Sequence, residues 1–283
     1  MSADARNAEQ IAYWNGPGGK GWADRQEEQD ALLEPILAAT IARAAVHAGE
    51  RVVDVGCGAG ASAVQLGRLV GSSGRVLGID VSEPMLARAA ERLPIDLPID
   101  LVRADATTHQ FSRASFDLLF SRFGVMFFAE PARSFANLRT ASRKGGRLAF
   151  ACWRRPEENL WVMVPLRAAY QHVPRLPKVG PEEPGLFSFA SEDRVRRVLS
   201  EAGFRSIGCE PLDFEFDIAA GRGLDEAVLS ATTIGPASRA IEGQPPEVRQ
   251  AVAASIRQAF VQHQSGSRVP LSAAVWIVTA ISP

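Results

Sequence analysis

Cysteine is scarce in this chain of 283 residues, which holds only Cys57, Cys152 and Cys209. An odd count, wide spacing and no CxxC argue against a disulfide framework and a structural zinc site, and favour a reducing compartment. Lysine is equally scarce: Lys20, Lys144 and Lys178 stand among 31 basic residues, the rest arginine. Those 31 meet 32 acidic residues, for a net charge of -1. Such a balance provides no whole-molecule field for phosphate backbones or anionic lipid, so neither nucleic acid nor membrane is an expected partner. The longest strongly apolar run, Ala273 to Ile281, is too short to span a bilayer. The opening MSADARNAEQ lacks the apolar core of a signal peptide. These absences predict a cytoplasmic protein.

What is present is an alternation. Short apolar, partly β-branched runs predict strands at Arg51–Val55, Arg75–Asp80, Ile99–Arg103, Phe116–Ser121 and Arg147–Cys152. Helical patterns fill the gaps at Gly60–Val70, at Glu83–Leu93 with Ser82 as N-cap, and at Glu130–Ser142 with Gly145-Gly146 as the stop. Ser191 reads as a further N-cap, Gly203 as that helix's end, and Phe204–Asp217 and Pro270–Ile281 as two more strands, the last with no helix after it and so free to lie antiparallel at the end of the sheet. Alternation of this kind predicts an α/β fold with a mostly parallel sheet. The expected divisions are an N-terminal helical lid over 1–48, a core of 49–153 plus 190–217 and 266–283, and cap insertions 154–189 and 218–265 over the ends of the strands, where open α/β sheets bind ligands. Leu32, Leu33, Ile36, Leu37 and Ile41 share one face of the first segment, where Pro35 should kink or restart the helix. Val248, Val252, Ile256, Ala259 and Phe260 form a stripe in the last, open to a cap or to a homodimer.

The chemistry concentrates in Val52-Val53-Asp54-Val55-Gly56-Cys57-Gly58-Ala59-Gly60. A strand runs into glycines and a helix follows, which lets backbone approach a ligand closely. Asp80 ends the next strand, where a carboxylate accepts from ribose hydroxyls. This pattern fits a dinucleotide or S-adenosylmethionine. Asp54 lies where a pyrophosphate would sit and would repel it, favouring a ligand that carries an ammonium and a sulfonium. Asp105-Ala106, after the third strand, can read an adenine edge through one carboxylate and one backbone N–H.

As an ordered set, VVDVGCGAG, GID with SEPML, RADA, FDLLFSRFGVMFF and KGGRLAF resemble class I S-adenosylmethionine-dependent methyltransferases, closest in style to the ubiquinone/menaquinone-biosynthesis type and its small-molecule relatives. The resemblance covers about residues 50–152. It implies a Rossmann-like seven-stranded sheet, mostly parallel with the last strand antiparallel, helices on both faces and helical cap insertions. It implies S-adenosyl-L-methionine as cofactor. Gly56, Cys57, Gly58, Ala59 and Gly60 would line its methionine and ribose, Asp80 its ribose, Val81 and Met85 its adenine face, Asp105 and Ala106 the adenine edge, and Ser121 the sulfonium end. Tyr13 through Trp22 resembles segments that fold over the cofactor, which would add Trp14 and Trp22.

Methyl transfer needs alignment and exclusion of water, and a base only when the acceptor loses a proton. Phe120-Ser121-Arg122-Phe123 lacks the Asn/Asp-Pro-Pro-aromatic of adenine and glutamine N-methyltransferases, and the Pro-Cys of cytosine C5 enzymes is absent. Carboxylates like those of metal-dependent catechol enzymes and the dedicated cysteines of arsenite enzymes are missing too. The expectation is a metal-independent enzyme with a small-molecule acceptor, lined by Phe123, Met126, Phe127 and Phe128 unless these are core. His172 and Tyr13 are the candidate catalytic groups. Arg122 would pair with an acidic neighbour or an acceptor carboxylate. Two rivals remain: an NAD(P)-dependent oxidoreductase, and a non-catalytic S-adenosylmethionine-binding interaction protein.

Overall fold

A computed structural model describes residues 3–177, 180 and 182–283; residues 1, 2, 178, 179 and 181 of the expected lid and first cap lie outside them. Three helices open the chain: α1 (Ala3–Asn15), α2 (Pro17–Asp24) and α3 (Gln26–Ala44). The alternation that follows is β1 (Arg51–Val55), α4 (Ala61–Val70), β2 (Arg75–Asp80), α5 (Glu83–Arg92), β3 (Ile99–Arg103), β4 (Phe116–Arg122), α6 (Pro131–Ala141) and β5 (Ser142–Trp153). Then come α7 (Leu160–Ala169), α8 (Glu192–Glu201), β6 (Arg205–Asp217), α9 (Leu224–Thr233), α10 (Pro236–Ala240), α11 (Pro246–Val261) and β7 (Pro270–Ile281).

The seven strands form one sheet in the order β3-β2-β1-β4-β5-β7-β6. Pairings from β3 through β5 are parallel, and β7 runs antiparallel to both β5 and β6. The last strand is therefore antiparallel as expected, but it lies inside the sheet, with β6 on the edge. β1 and β4 sit next to each other at the centre, where the strand order reverses, so the ends of these strands face the crevice in which open α/β sheets bind ligands.

Local signals explain most boundaries. The Ser82 hydroxyl accepts from the Met85 N–H at the start of α5. After α8, Gly203 at φ +90° allows Phe204 N–H to reach the Leu199 carbonyl and Gly203 N–H the Ser200 carbonyl, a Schellman stop. Ser191 occupies the N-cap position of that helix, but its side chain makes no capping bond.

Two expectations are changed for clear reasons. α3 does not restart at Pro35 but continues through it. Pro35 is exposed, and so is Ala31, whose carbonyl loses its helical donor, so water can replace the missing bond. The pair Gly145-Gly146 does not cap α6. It lies inside β5, where Gly145 N–H donates to the Ser282 carbonyl and Ser282 N–H to that of Gly146.

The two insertions pack on each other, α11 against α7 and α9. Val252, Ile256 and Phe260 are fully buried in this contact, so the stripe is consumed within the chain. No helix of the described residues is long and apolar enough to cross a membrane.

Candidate functional site

The turn after β1 is built from three left-handed glycines, Gly56, Gly58 and Gly60, at φ +68°, +53° and +86°. At Gly56 a Cβ would stand 2.7 Å from the Gly124 Cα, so the loop and the turn after β4 touch backbone to backbone. At Gly58 it would meet the Met85 methyl at 2.8 Å. Asp80 fastens this loop: Oδ2 accepts from Gly58 N–H and Oδ1 from Ser82 N–H, both at 2.8 Å. Burial raises the Asp80 pKa, and these backbone donors oppose the rise. Arg92 donates to the Ala59 carbonyl at 3.1 Å. Cys57 is buried, which pushes its thiol pKa well above the ordinary range and leaves a neutral, compact side chain.

Asp54 is completely buried. Its Oδ2 accepts from the Ser62 hydroxyl at 2.6 Å, while Oδ1 has no partner. Burial pushes its pKa up to about 7, against the opposing pull of Ser62 and of the Arg122 charge. Asp54 pairs in register with Phe120 of β4, and Arg122, two residues further, stands on the same face. Arg122 has a salt bridge to Asp30 of α3 at 3.6 Å, as its acidic-neighbour reading expects, yet its Nη1 is buried without a partner. One unpaired acceptor and one unpaired donor of opposite charge thus stand at the ends of the two central strands.

Ser121 is buried and spends its hydroxyl locally, donating to the Val55 carbonyl at 2.7 Å and accepting from Gly124 N–H at 3.1 Å. It ties β4 to β1 rather than presenting a free donor. Beyond β3, Asp105 receives Thr107 N–H on Oδ1 and the Thr107 hydroxyl on Oδ2. Ala106 is buried behind it, and the Asn137 amide holds its carbonyl at 3.1 Å.

The N-terminal helices close over this row. Asn7 of α1 donates to Asp105 Oδ2 at 2.6 Å. Asn15 donates to the Val81 carbonyl and accepts from Glu83 N–H, both at 3.0 Å. The Ser82 hydroxyl donates to the Trp14 carbonyl at 2.6 Å. Trp14 meets Phe127 edge to face at 5.2 Å and Trp22 at 6.4 Å, while Phe128 is buried against Phe135. Tyr13 packs under Arg239 of α10, 5.1 Å from ring centroid to guanidinium, and burial raises its pKa further, away from a role as base. Arg25, between α2 and α3, pairs with Glu226 of α9 and links the N-terminal helices to the second insertion.

The structure gathers Trp14, Trp22 and the β1, β2, β3 and β4 residues along one edge of the sheet. His172 does not join them. It is exposed, hydrogen-bonded at 2.7 Å to Ser255 of α11, where it joins the two insertions. Asn15 lies within the Tyr13–Trp22 segment that the resemblance marks, but nothing in the sequence singles out Asn7, Asp30 or Ser62. The helical pattern placed Asp30 and Ser62 in their helices, but nothing marked what they would face. Among the described residues no three His, Cys, Asp or Glu side chains gather to hold a metal ion.

The fold is the Rossmann-like one of solved methyltransferase structures. Residues 53–150 match the family model described as a methyltransferase domain. A ubiquinone/menaquinone biosynthesis C-methyltransferase of Marinomonas sp. (strain MWYL1) is 26% identical over 58% of this chain and 70% of its own length. The aklanonic acid methyltransferase of Streptomyces sp. (strain C5) is 36% identical over 36% of this chain, a match that spans only 47% of that relative. Among solved structures, the YcgJ protein of Bacillus subtilis has the same fold, with a TM-score of 0.57, 14% identity and coverage of 87% of this chain and 97% of that one. Residues 53–150 thus carry a methyltransferase domain, and the matches support a class I S-adenosylmethionine-dependent methyltransferase.

Proposed function

We propose that the chain transfers the methyl group of S-adenosylmethionine to a small-molecule acceptor without help from a metal ion. The observation that carries this reading is the buried, unpaired couple of Asp54 Oδ1 and Arg122 Nη1. A zwitterionic amino-acid moiety matches it, ammonium toward Asp54 and carboxylate toward Arg122, whereas a pyrophosphate would meet the carboxylate of Asp54. Asp80 and the Gly58 turn would hold the ribose, and Asp105 with Ala106 the adenine edge. Bound in this cradle, S-adenosylmethionine supplies an electrophilic methyl group on a sulfonium.

The protein's own part is alignment and exclusion of water. Trp14, Trp22 and Phe127 would cover the cradle from the lid side, and Phe123 with the insertions would orient the acceptor. In the displacement, the acceptor's electron pair forms the new bond to carbon as the carbon–sulfur bond breaks, and sulfur keeps that pair. His172 lies on the outer surface, so an acceptor proton, where one must leave, passes to water or to a group of the acceptor itself. The relatives named as C-methyltransferase and aklanonic acid methyltransferase support a small-molecule acceptor. A non-catalytic cofactor-binding protein is the second reading, favoured by the distance of His172 from the site. Incubation with methyl-tritiated S-adenosylmethionine and a panel of small phenols and ketones separates the two. Label in an extractable product supports transfer; cofactor binding with no transfer to any member supports the second reading.

A further inference from the structure

Two buried groups of opposite charge on one face, at the ends of neighbouring strands, should close on each other, because each is costly to bury alone. Asp54 and Arg122 have not done so. Among the described residues the ion pair of Arg122 is with Asp30, and none joins it to Asp54. A constraint must keep them apart, and the surroundings of Asp30 provide one.

Asp30 lies near the start of α3, on the lid. Its Oδ2 accepts from the amide of Gln26, a buried side chain one turn earlier, and from Arg92 Nη1 of α5. The same Nη1 of Arg92 donates to the Ala59 carbonyl of the glycine turn at 3.1 Å. Asp30 is therefore anchored through one oxygen, and the other, Oδ1, faces Arg122 Nη2 at 3.6 Å. Pairing through Nη2 leaves Arg122 Nη1 free, just as the Ser62 bond to Oδ2 leaves Asp54 Oδ1 free. Each member of the couple is tethered by one atom and open at the other.

We propose that Asp30 is a positioning residue: by tethering Arg122 through Nη2 it keeps the guanidinium off Asp54 and holds open the site for the cofactor's amino-acid tail. The inference rests on the cofactor reading above and names the residue on which its tail site depends. Two carboxylates act on the buried Arg122 charge, Asp30 first and Asp54 after it. Without the first, the second is the remaining counter-charge. Closure of Arg122 on Asp54 would fill both open atoms at once and leave the ammonium and carboxylate of the tail without partners. The ribose and adenine positions, at Asp80 and Asp105, share none of these atoms. Loss of the Asp30 charge should therefore be felt by the tail and by no other part of the ligand.

The test is calorimetric titration of wild type, Asp30→Asn, Arg122→Met and the double variant with two ligands. One is S-adenosylhomocysteine; the other is methylthioadenosine, which shares its adenine, ribose and thioether but has no amino-acid tail. Asn keeps an oxygen for Gln26 and Arg92 and removes only the charge. Asp30→Asn should weaken S-adenosylhomocysteine about tenfold and methylthioadenosine by less than about twofold. In the Arg122→Met background no guanidinium remains to close on Asp54, so Asp30→Asn should cost no further affinity for S-adenosylhomocysteine. That cycle decides alone where the tailless nucleoside binds too weakly to titrate. Equal losses for the two ligands, full affinity of Asp30→Asn for S-adenosylhomocysteine, or the same loss with and without Arg122 would overturn the assignment. If Asp30→Asn lacks the native circular-dichroism spectrum, Asp30→Ser removes the same charge and is read in the same way. Failure of S-adenosylhomocysteine to bind the wild type strikes the cofactor reading itself, an outcome distinct from each of these.

Discussion

The buried carboxylate of Asp54 makes cofactor binding depend on pH. Its pKa lies at about 7 in the folded protein because no solvent reaches it and only Ser62 bonds it. A ligand ammonium beside Oδ1 requires the ionised form. At pH 6 only about one molecule in eleven is ionised at that pKa against about half at pH 7, so affinity should fall about fivefold between them, about 1 kcal/mol, and approach tenfold per pH unit, about 1.4 kcal/mol, below pH 6. Between pH 5.5 and 7 the ligand's own amino group stays charged. Calorimetry with S-adenosylhomocysteine at pH 7, 6.5, 6 and 5.5, in buffers of different ionisation enthalpy, reads both the slope and the proton released. At pH 6 close to one proton should leave per molecule bound. Asp54→Asn should bind weakly at every pH, with the slope gone. The sign for stability is fixed by the same shift. The folded pKa is above the unfolded value, so the folded state holds the extra proton between about pH 4 and 7. Stability from this group falls as pH rises through that window and levels off above it. A flat affinity from pH 5.5 to 7 in the wild type would refute the placement of the ammonium at Asp54.

Other perturbations test neighbouring parts of the site. Asp80→Ala removes the acceptor that fastens Gly58 and Ser82 and should weaken S-adenosylhomocysteine by at least about 1.5–3 kcal/mol, the loss of hydrogen bonds to a charged group; unchanged affinity in a folded variant would end the ribose assignment. Gly56→Ala forces a Cβ against the Gly124 backbone at positive φ and should abolish cofactor binding and lower the Tm measured by circular dichroism by several degrees. Asn7 and the adenine amino group would compete for Asp105 Oδ2, so Asn7→Ala should speed cofactor association several-fold in stopped-flow fluorescence, and an unaltered rate would remove Asn7 as a gate.

Much of the core could be read from the sequence because one force sets each element. β1, β2, β3 and β7 match their expected bounds residue for residue, since apolar runs between turn signals leave little freedom. The glycine turn and Asp80 were legible as backbone geometry followed by a carboxylate at a fixed distance. What was not legible depends on contacts between distant segments. β7's place between β5 and β6 is a matter of pairing partners, which no local pattern carries. The continuity of α3 through Pro35 depends on which carbonyl faces water. His172 looked available because it stands near Tyr170 in a Pro-rich segment, yet the fold turns it outward onto Ser255. Asn7 and Asp30 are single polar residues on helices, and only the packing of the lid gives them their partners.

The central claim is that the cradle at the ends of β1 and β4 takes a sulfur nucleoside with an amino-acid tail. Calorimetric titration of the purified protein with S-adenosylmethionine, S-adenosylhomocysteine and NADH tests it most directly. The account predicts micromolar binding of the first two and none of the third. Binding of NADH, without either sulfur nucleoside, would contradict it.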